Sequence, residues 1–334
     1  MSQPPKVLLI AVIVAGALLA GACTSAGGAG TSRTLTVYGF SILGEVMNKG
    51  IFPAFTDLWQ REHGQRVEFF GAFAGSGIVT HQILFGAPAQ VAILSHELDA
   101  LRLRDAHVAR TDWRVFPHGG VVNRTPFIIV TRPGNPKHIR DFHDLAGQGI
   151  SITHPDPLTS GGALWAILAE YGSVTIPGGT PEQARAQLLG IWRNVRYQAG
   201  SARAVRTQFE AGFGDVLITY EQETLSRPIK GMVVYPPSTI LSEHVVVLVD
   251  RNVSARDRDL VEAFLRYLWS ADAQRIFVKF GFRSVDEHLN RGNERFGTIA
   301  RPFTVADLGG WPAAYAAIVE RVWKAQVLPE VQSR

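Results

Sequence analysis

The sequence predicts an α/β protein of about two domains, and three observations lead to that class. The chain has 334 residues, which at roughly 150 residues per domain suggests two domains. Its 46% content of hydrophobic residues is typical of a packed globular protein. Short β-rich runs alternate with segments of helical spacing, and this alternation indicates parallel sheets covered by helices.

The predicted strands are short, apolar and rich in β-branched or aromatic residues. In chain order they occupy residues 35–38, 66–70, 91–94, 127–131, 150–153, 216–219 and 245–250. The predicted helices show helical spacing or a start signal, and they occupy residues 50–63, 78–85, 163–171, 180–192, 204–211, 257–270 and 272–280. The clearest start has Thr180 as N-cap and Pro181 in the first turn.

The composition excludes several classes of protein. The net charge is +4 with both signs interspersed, which argues against a nucleic-acid partner. One cysteine cannot form an internal disulfide or a cysteine-rich zinc site. The sequence contains no G-x-x-x-x-G-K-[ST] motif, so the chain is not a P-loop ATPase. We expect a monomer without a metal or other cofactor.

The first residues have the pattern of a targeting segment. Lys6 precedes an uncharged apolar run over residues 7–22, which is shorter than the roughly 20 residues of a spanning helix and matches a signal peptide at 1–22. Ala20-Gly21-Ala22 fits ordinary signal-peptidase cleavage. The small residues before Cys23 also resemble the lipobox of bacterial lipoproteins, which implies a lipidated Cys23. Residues 23–33, rich in Gly, Ser, Thr and Ala, would then form a flexible tether. A soluble secreted protein and an uncleaved anchor are the alternatives.

Three predicted strands are followed by small residues that open a helix. These segments are Ala74-Gly75-Ser76-Gly77, Thr159-Ser160-Gly161-Gly162 and Gly200-Ser201-Ala202. A helix start exposes unpaired N–H groups and the positive end of the helix dipole, and glycine lets an anion approach them closely. Each segment alone is compatible with ordinary helix capping. Together they predict an anion site built from neutral donors.

The third segment is flanked by two arginines, Arg203 and Arg206. These side chains could point to solvent. Glu221 and Glu223, which follow a predicted strand, could instead pair with them and fix the third segment. Isolated surface acids are the alternative interpretation of the two glutamates.

Four segments of the chain resemble the periplasmic sulfate-binding proteins of ABC transporters, a family that includes thiosulfate binders. The similar segments are Phe73-Ala74-Gly75-Ser76-Gly77, Arg132-Pro133-Gly134-Asn135-Pro136-Lys137, His154-Pro155-Asp156-Pro157-Leu158-Thr159-Ser160-Gly161-Gly162-Ala163 and Gly212-Phe213-Gly214-Asp215-Val216-Leu217-Ile218-Thr219-Tyr220-Glu221. The run 260–280 also fits the C-terminal helices of the family, and the resemblance covers roughly residues 34–325.

The resemblance implies a two-lobed periplasmic-binding-protein fold of type II, with the ligand in the cleft between the lobes. Residues 34–122 and 247–330 would form one lobe and residues 123–246 the other. The strands at 127–131 and 245–250 would be the hinges. The function implied is capture of sulfate and delivery to the permease subunits of an ABC transporter, by a protein anchored outside the cytoplasm through Cys23.

The resemblance also implies a set of neutral donors. Ser76 and Ser160 would donate hydroxyl groups, and three further residues would donate backbone amides: Gly161, Gly162 and Ser201. Tyr220 stands where the family has a tryptophan N–H donor. Ser41 is assigned an amide although the first loop departs from the family pattern, with the next helix displaced by about three residues.

Two alternatives to sulfate binding follow from the same residues. The ligand could be another oxyanion, namely thiosulfate, molybdate or tungstate, or phosphate. The chain could also be a secreted enzyme acting on anionic esters. The absence of a paired base beside Ser76 or Ser160 in the sequence counts against the enzyme.

Overall fold

The computed structural model describes residues 32–333 and contains two lobes joined by shared strands. Its strands are β1 Arg33–Phe40, β2 Val67–Ala74, β3 Val91–Leu94, β4 Val121–Thr131, β5 Ile152–Pro155, β6 Val195–Ala199, β7 Val216–Tyr220, β8 Met232–Val234, β9 Ser238–Leu248 and β10 Arg301–Phe303. The longer helices are Phe52–His63, Ser76–Leu84, Glu97–Asp105, Gly161–Thr175, Pro181–Asn194, Ala202–Glu210, Arg258–Leu268 and Ala271–Lys279. A C-terminal helical segment runs through Trp311–Ala314, Tyr315–Val327 and Leu328–Gln332.

The strands follow the order β2-β1-β3-β9-β4-β7-β5-β6, with β10 beside β9 and β8 beside β4. In the first lobe, β1 is parallel to β2 and β3. In the second lobe, β5 is parallel to β6 and β7. The carboxyl ends of parallel strands are the usual place for a ligand.

The strands that join the two lobes are antiparallel, so the expectation of purely parallel sheets is wrong. Strand β9 pairs antiparallel with both β3 and β4. Strand β4 pairs with β9 at its start and with β7 at its end. Each of these two strands has 11 residues, and each is longer than predicted because the polar part that crosses between the lobes carries no strand pattern.

The structure confirms the strand at Val91–Leu94 and the helix start at Thr180. The Thr180 Oγ accepts a hydrogen bond from the amide of Gln183, whose side chain accepts one from the Thr180 amide. The helix predicted at 50–63 begins earlier, because helical turns continue without a break from Ser41 to His63. The predicted start at residue 50 is therefore too late.

The predicted signal peptide, 1–22, and the lipidation site, Cys23, lie outside the described residues. The predicted end of the tether, residue 33, is too late. Arg33 already belongs to β1, and its guanidinium contacts Asp259 at 2.7 Å. Within residues 32–333, no helix is both long and apolar enough to span a membrane. The same residues hold no group of three or more His, Cys, Asp or Glu side chains suited to a metal ion.

Candidate functional site

The predicted donors meet where the carboxyl ends of the parallel strands of the two lobes face each other. In the first lobe, Ser41 follows β1 and Ser76 follows β2. In the second lobe, the segment from Ser160 follows β5, Ser201 follows β6, and Tyr220 ends β7. The three helix starts identified in the sequence therefore belong to one region of the molecule.

Gly75 is the point of closest approach between the two lobes. A Cβ built on Gly75 would lie 2.4 Å from the carbonyl oxygens of both Thr159 and Gly200. Only a hydrogen atom fits there, so the glycine lets the first-lobe helix start meet both second-lobe loops. The structure is thus a closed form in which the loops touch across the cleft.

Ser76 opens the helix Ser76–Leu84 and is 1% exposed. Its Oγ donates to Asp99 Oδ2 at 2.6 Å and accepts from the amide of Ser95 at 3.0 Å. Arg102 binds the other oxygen of Asp99 at 2.8 Å. The hydroxyl of Ser76 is therefore engaged inside its own lobe, while its amide, in the first turn of the helix, has no carbonyl to pair with inside that helix.

Ser160 precedes the helix Gly161–Thr175 and is 4% exposed. Among the described residues its hydroxyl caps no amide of that helix, so the capping interpretation does not hold for this serine. A Cβ built on Gly162 would lie 3.3 Å from Ser160 Oγ and 3.2 Å from Tyr220 Oη. The two hydroxyl groups and the start of this helix are thus close neighbours.

Ser201 behaves differently from Ser160. Its Oγ accepts a hydrogen bond from the amide of Ala204 at 3.1 Å, so this hydroxyl is a helix cap. The turn Ser41–Leu43 contacts the helix Ala202–Glu210. The first loop therefore contacts the helix that Ser201 opens, one element from each lobe.

Tyr220 is fully buried, and burial is the main cause that raises the pKa of its phenol. The phenol therefore stays protonated and can donate. Its ring lies 4.4 Å from the ring of Phe127 and 6.2 Å from that of Phe40. Its Oη lies 3.0 Å from Ser95 Oγ.

The third helix start is fixed by a buried ion cluster that includes Glu223. The interpretation of Glu221 and Glu223 as isolated surface acids is wrong, because both are buried and paired. The Glu223 carboxylate accepts from Arg203 Nε at 2.9 Å and lies 3.5 Å from Arg206. Arg206 is 1% exposed, so the expectation that it points to solvent is wrong. Burial raises the pKa of Glu223, and the two arginines oppose that effect. Glu221 is instead paired with Arg283 at 2.8 Å.

The sequence did not predict that Ser95, His96 and Trp165 make contacts at the cleft. Ser95 follows β3 at its carboxyl end, which is the signal that could have found it. The Trp165 indole Nε1 donates to the Ser95 carbonyl at 2.7 Å, although helical spacing alone assigns this tryptophan to the core. His96 is buried, and burial lowers the pKa of its ring.

The arrangement suits an anion better than any other ligand class. Helix starts, serine hydroxyls and a protonated phenol supply donors without a formal charge. Burial in a closed cleft strengthens such hydrogen bonds because water is excluded.

A family model described as a bacterial extracellular solute-binding protein matches residues 46–283. This chain belongs to that family. Several solute-binding proteins are similar to it over most of its length. A sulfate-binding protein of Synechococcus elongatus is 36% identical, with 86% of this chain and 84% of the relative covered. A thiosulfate-binding protein of Pseudomonas aeruginosa is 29% identical, with 79% and 82% covered.

Solved structures of solute-binding proteins agree with the fold. The sulfate-binding protein SubI of Mycobacterium tuberculosis is similar with a TM-score of 0.78 and 28% identity, covering 85% of this chain and 99% of that one. A molybdate-binding protein of Azotobacter vinelandii has a TM-score of 0.52 at 19% identity, covering 74% and 98%, and shows the fold alone. The predicted two-lobed α/β fold is therefore confirmed.

Proposed function

We propose that this solute-binding protein captures sulfate between its lobes and delivers it to the permease of an ABC transporter. The observation that carries the proposal is the convergence of neutral donors from both lobes at the carboxyl ends of their strands. Five relatives that are 30–36% identical are named sulfate-binding proteins, against two thiosulfate-binding proteins at 29–30%, and this supports sulfate.

The chemistry of the donors supports a fully ionised ligand. Sulfate has no proton to donate near neutral pH, so it needs donors alone. Phosphate carries a proton with a pKa of about 6–7 and needs an acceptor for it. The nearby carboxylate of Asp99 already accepts hydrogen bonds from Ser76 and Arg102. It is therefore occupied and does not serve as the acceptor that phosphate needs.

We assign the donors as follows. Ser160 and Tyr220 donate hydroxyl groups, and amides come from the helix starts at Ser41, Gly161, Gly162 and Ser201. Ser76 donates its amide directly, whereas its hydroxyl contacts the ligand only by giving up its hydrogen bond to Asp99.

Calorimetry of the mature domain with sulfate, thiosulfate, molybdate and phosphate in parallel tests the proposal. Sulfate should bind most tightly, with little change in affinity between pH 6 and 8. Tightest binding of thiosulfate, a ligand named for two of the relatives, would replace sulfate by its nearest alternative. A tenfold change in affinity over that pH range would contradict a site made of neutral donors.

A binding protein rather than an enzyme is the better interpretation of the same residues. Among the described residues the Ser76 hydroxyl donates to the Asp99 carboxylate, which Arg102 also binds, and not to a histidine, so it lacks the serine–histidine pair of an activated nucleophile. Incubation with a generic sulfate ester and a phosphate ester tests this part, and steady turnover that Ser160→Ala abolishes would establish an esterase.

We also propose that the chain is a monomer tethered to the outer face of the cell membrane by a lipid on Cys23. Cys23→Ser should move the protein from the detergent phase to the aqueous phase of a phase-partition assay, or leave the uncleaved precursor. Cleavage after Ala22 by ordinary signal peptidase predicts instead that wild type and variant partition alike. Light scattering of the soluble domain measures its mass and tests the monomer.

A further inference from the structure

Three residues of the second lobe contact the dipeptide Ser95-His96 of the first lobe. The Tyr220 hydroxyl lies 3.0 Å from Ser95 Oγ, and Trp165 Nε1 donates to the Ser95 carbonyl at 2.7 Å. Gly161 packs on the same dipeptide, because a Cβ built there would lie 2.7 Å from Ser95 Oγ and 3.0 Å from His96 Cδ2. The two hydrogen bonds span the cleft, so they exist only while the lobes are closed.

Within its own lobe, the dipeptide is fixed by the first helix start. The Ser95 amide donates to Ser76 Oγ, which in turn donates to Asp99. All three residues are at most 1% exposed. A continuous buried chain of hydrogen bonds therefore runs from Asp99 through Ser76 and Ser95 to Tyr220.

The proton count of this chain matters for ligand binding. Ser95 Oγ and Tyr220 Oη each carry one proton, and either oxygen can be the donor of the bond between them. If Ser95 donates, the phenol proton of Tyr220 is free to point at an acceptor next to it. A bound dianion provides that acceptor and so favours this arrangement over the reverse one.

We propose that Ser95 is a positioning residue, which orients the Tyr220 proton toward the bound anion and couples that contact to closure of the lobes. The inference rests on the proposed function, because it assigns Tyr220 to the oxyanion. Ser95 acts through Tyr220, so its contribution to affinity depends on the phenol hydroxyl. The ligand is released only after the Ser95–Tyr220 hydrogen bond breaks, so Ser95 slows dissociation.

A double-mutant cycle tests this coupling with sulfate as the probe. Ser95→Ala should raise the Kd about 2- to 12-fold, the net effect of one neutral hydrogen bond, and Tyr220→Phe about 10- to 150-fold, the effect of a bond to a charged group. The double variant should match Tyr220→Phe within about twofold. Stopped-flow tryptophan fluorescence should place the effect of Ser95→Ala in the dissociation rate.

Ser284→Ala is the matched control, because it removes another fully buried serine hydroxyl, which donates to Gln274 at 2.6 Å away from the cleft. It should leave the Kd for sulfate unchanged even if it lowers stability. Fold changes of the two site variants that simply multiply in the double variant would overturn the inference, as would wild-type affinity in Ser95→Ala.

Failure of the proposed function gives a different result. If the wild type binds no sulfate, the function is wrong, and the cycle is then measured with whichever of thiosulfate, molybdate or phosphate the same calorimetry shows to bind. Effects of Ser95→Ala and Tyr220→Phe on that Kd that do not multiply support the hydrogen bond across the cleft. Effects that multiply refute it.

Discussion

Closure of the cleft can be tested at one glycine. Gly75 has φ −55° and ψ 138°, a conformation open to any residue. Gly75→Ala therefore causes no backbone strain, and its effect comes from the carbonyl oxygens of Thr159 and Gly200, each 2.4 Å from the added Cβ. The substitution opposes the closed form and leaves each lobe intact.

The expected magnitude follows from the distances. Ordinary contact of a Cβ begins at 3.4 Å, so the lobes must separate by about 3.4 − 2.4 = 1.0 Å at this point. A separation of that size would stretch the Ser95–Tyr220 bond from 3.0 Å to as much as about 4.0 Å, beyond hydrogen-bonding distance. The Trp165–Ser95 bond, at 2.7 Å, would reach as much as about 3.7 Å. Loss of two neutral hydrogen bonds amounts to about 1–3 kcal/mol, or roughly 5- to 150-fold in affinity.

Calorimetry with sulfate measures the affinity. Urea unfolding of the ligand-free protein measures the free energy of unfolding and so shows whether the lobes remain intact. Gly77→Ala is the control, because its Cβ would lie 3.3 Å from the Thr159 oxygen and needs almost no movement. That control should bind sulfate nearly as well as wild type and unfold less readily, since alanine is favoured over glycine inside a helix. Wild-type affinity in Gly75→Ala would refute closure as the source of tight binding.

Three further predictions concern the anion site and the buried charges. Ser160→Ala should weaken sulfate binding roughly 10- to 150-fold, the effect of one hydrogen bond to a charged group, whereas calorimetric equality with wild type would remove this serine from the site. Burial lowers the pKa of His244 to about 3, below its ordinary value of about 6.5, so the unfolded state takes up the proton first as the pH falls. Stability is therefore full above about pH 6.5 and should drop by about 2 kcal/mol at pH 5, a drop that urea unfolding should find smaller in His244→Asn. Arg206→Ala should cost about 3–5 kcal/mol in unfolding free energy, because it leaves the buried Glu223 with one partner fewer. Arg275 is exposed, and Arg275→Ala should change the unfolding free energy by about 0.5 kcal/mol or less. Equal effects of the two substitutions would contradict a stabilising role of the buried cluster.

Local signals in the sequence predicted a large part of the fold. The run Val91–Leu94 is wholly apolar, short and rich in β-branched residues, and it forms a buried strand. The start at Thr180 is equally local, because cap and partner lie three residues apart. Both depend on neighbours in the chain, which a single sequence displays.

The joint between the lobes could not be predicted because its contacts are distant in sequence. Buried polar residues in the crossing parts of β4 and β9 satisfy each other, as in the bond of 2.6 Å between Asn123 and His244. Ser242 likewise donates to the carbonyl of Thr125 at 2.5 Å. In the local sequence such polar residues indicate a loop. They lie in strands because their hydrogen-bond partners, about 120 residues away in the chain, satisfy them there.

The candidate site divides in the same way. The segment Thr159-Ser160-Gly161-Gly162 has the composition of an anion-binding helix start, which is visible in four consecutive residues. Ser95 carries no such pattern, and its role depends on Tyr220 and Trp165, which lie 125 and 70 residues away. Its place at the end of a buried strand was the one local hint.

The pairing of β3 with β9 has a consequence for the order of folding. Val91 lies opposite Leu248, and the two residues are 248 − 91 = 157 positions apart. The sheet of the first lobe is therefore incomplete until the ribosome has synthesised β9. Pairings of such long range form slowly. A nascent chain with two thirds of its length made still lacks β9 and is expected to remain unfolded in its N-terminal third. A fragment ending before Ser238 should be digested there by protease far faster than the full chain. An unfolded chain passes a narrow channel more easily than a folded one, so late completion of this lobe suits a member of an extracellular solute-binding family.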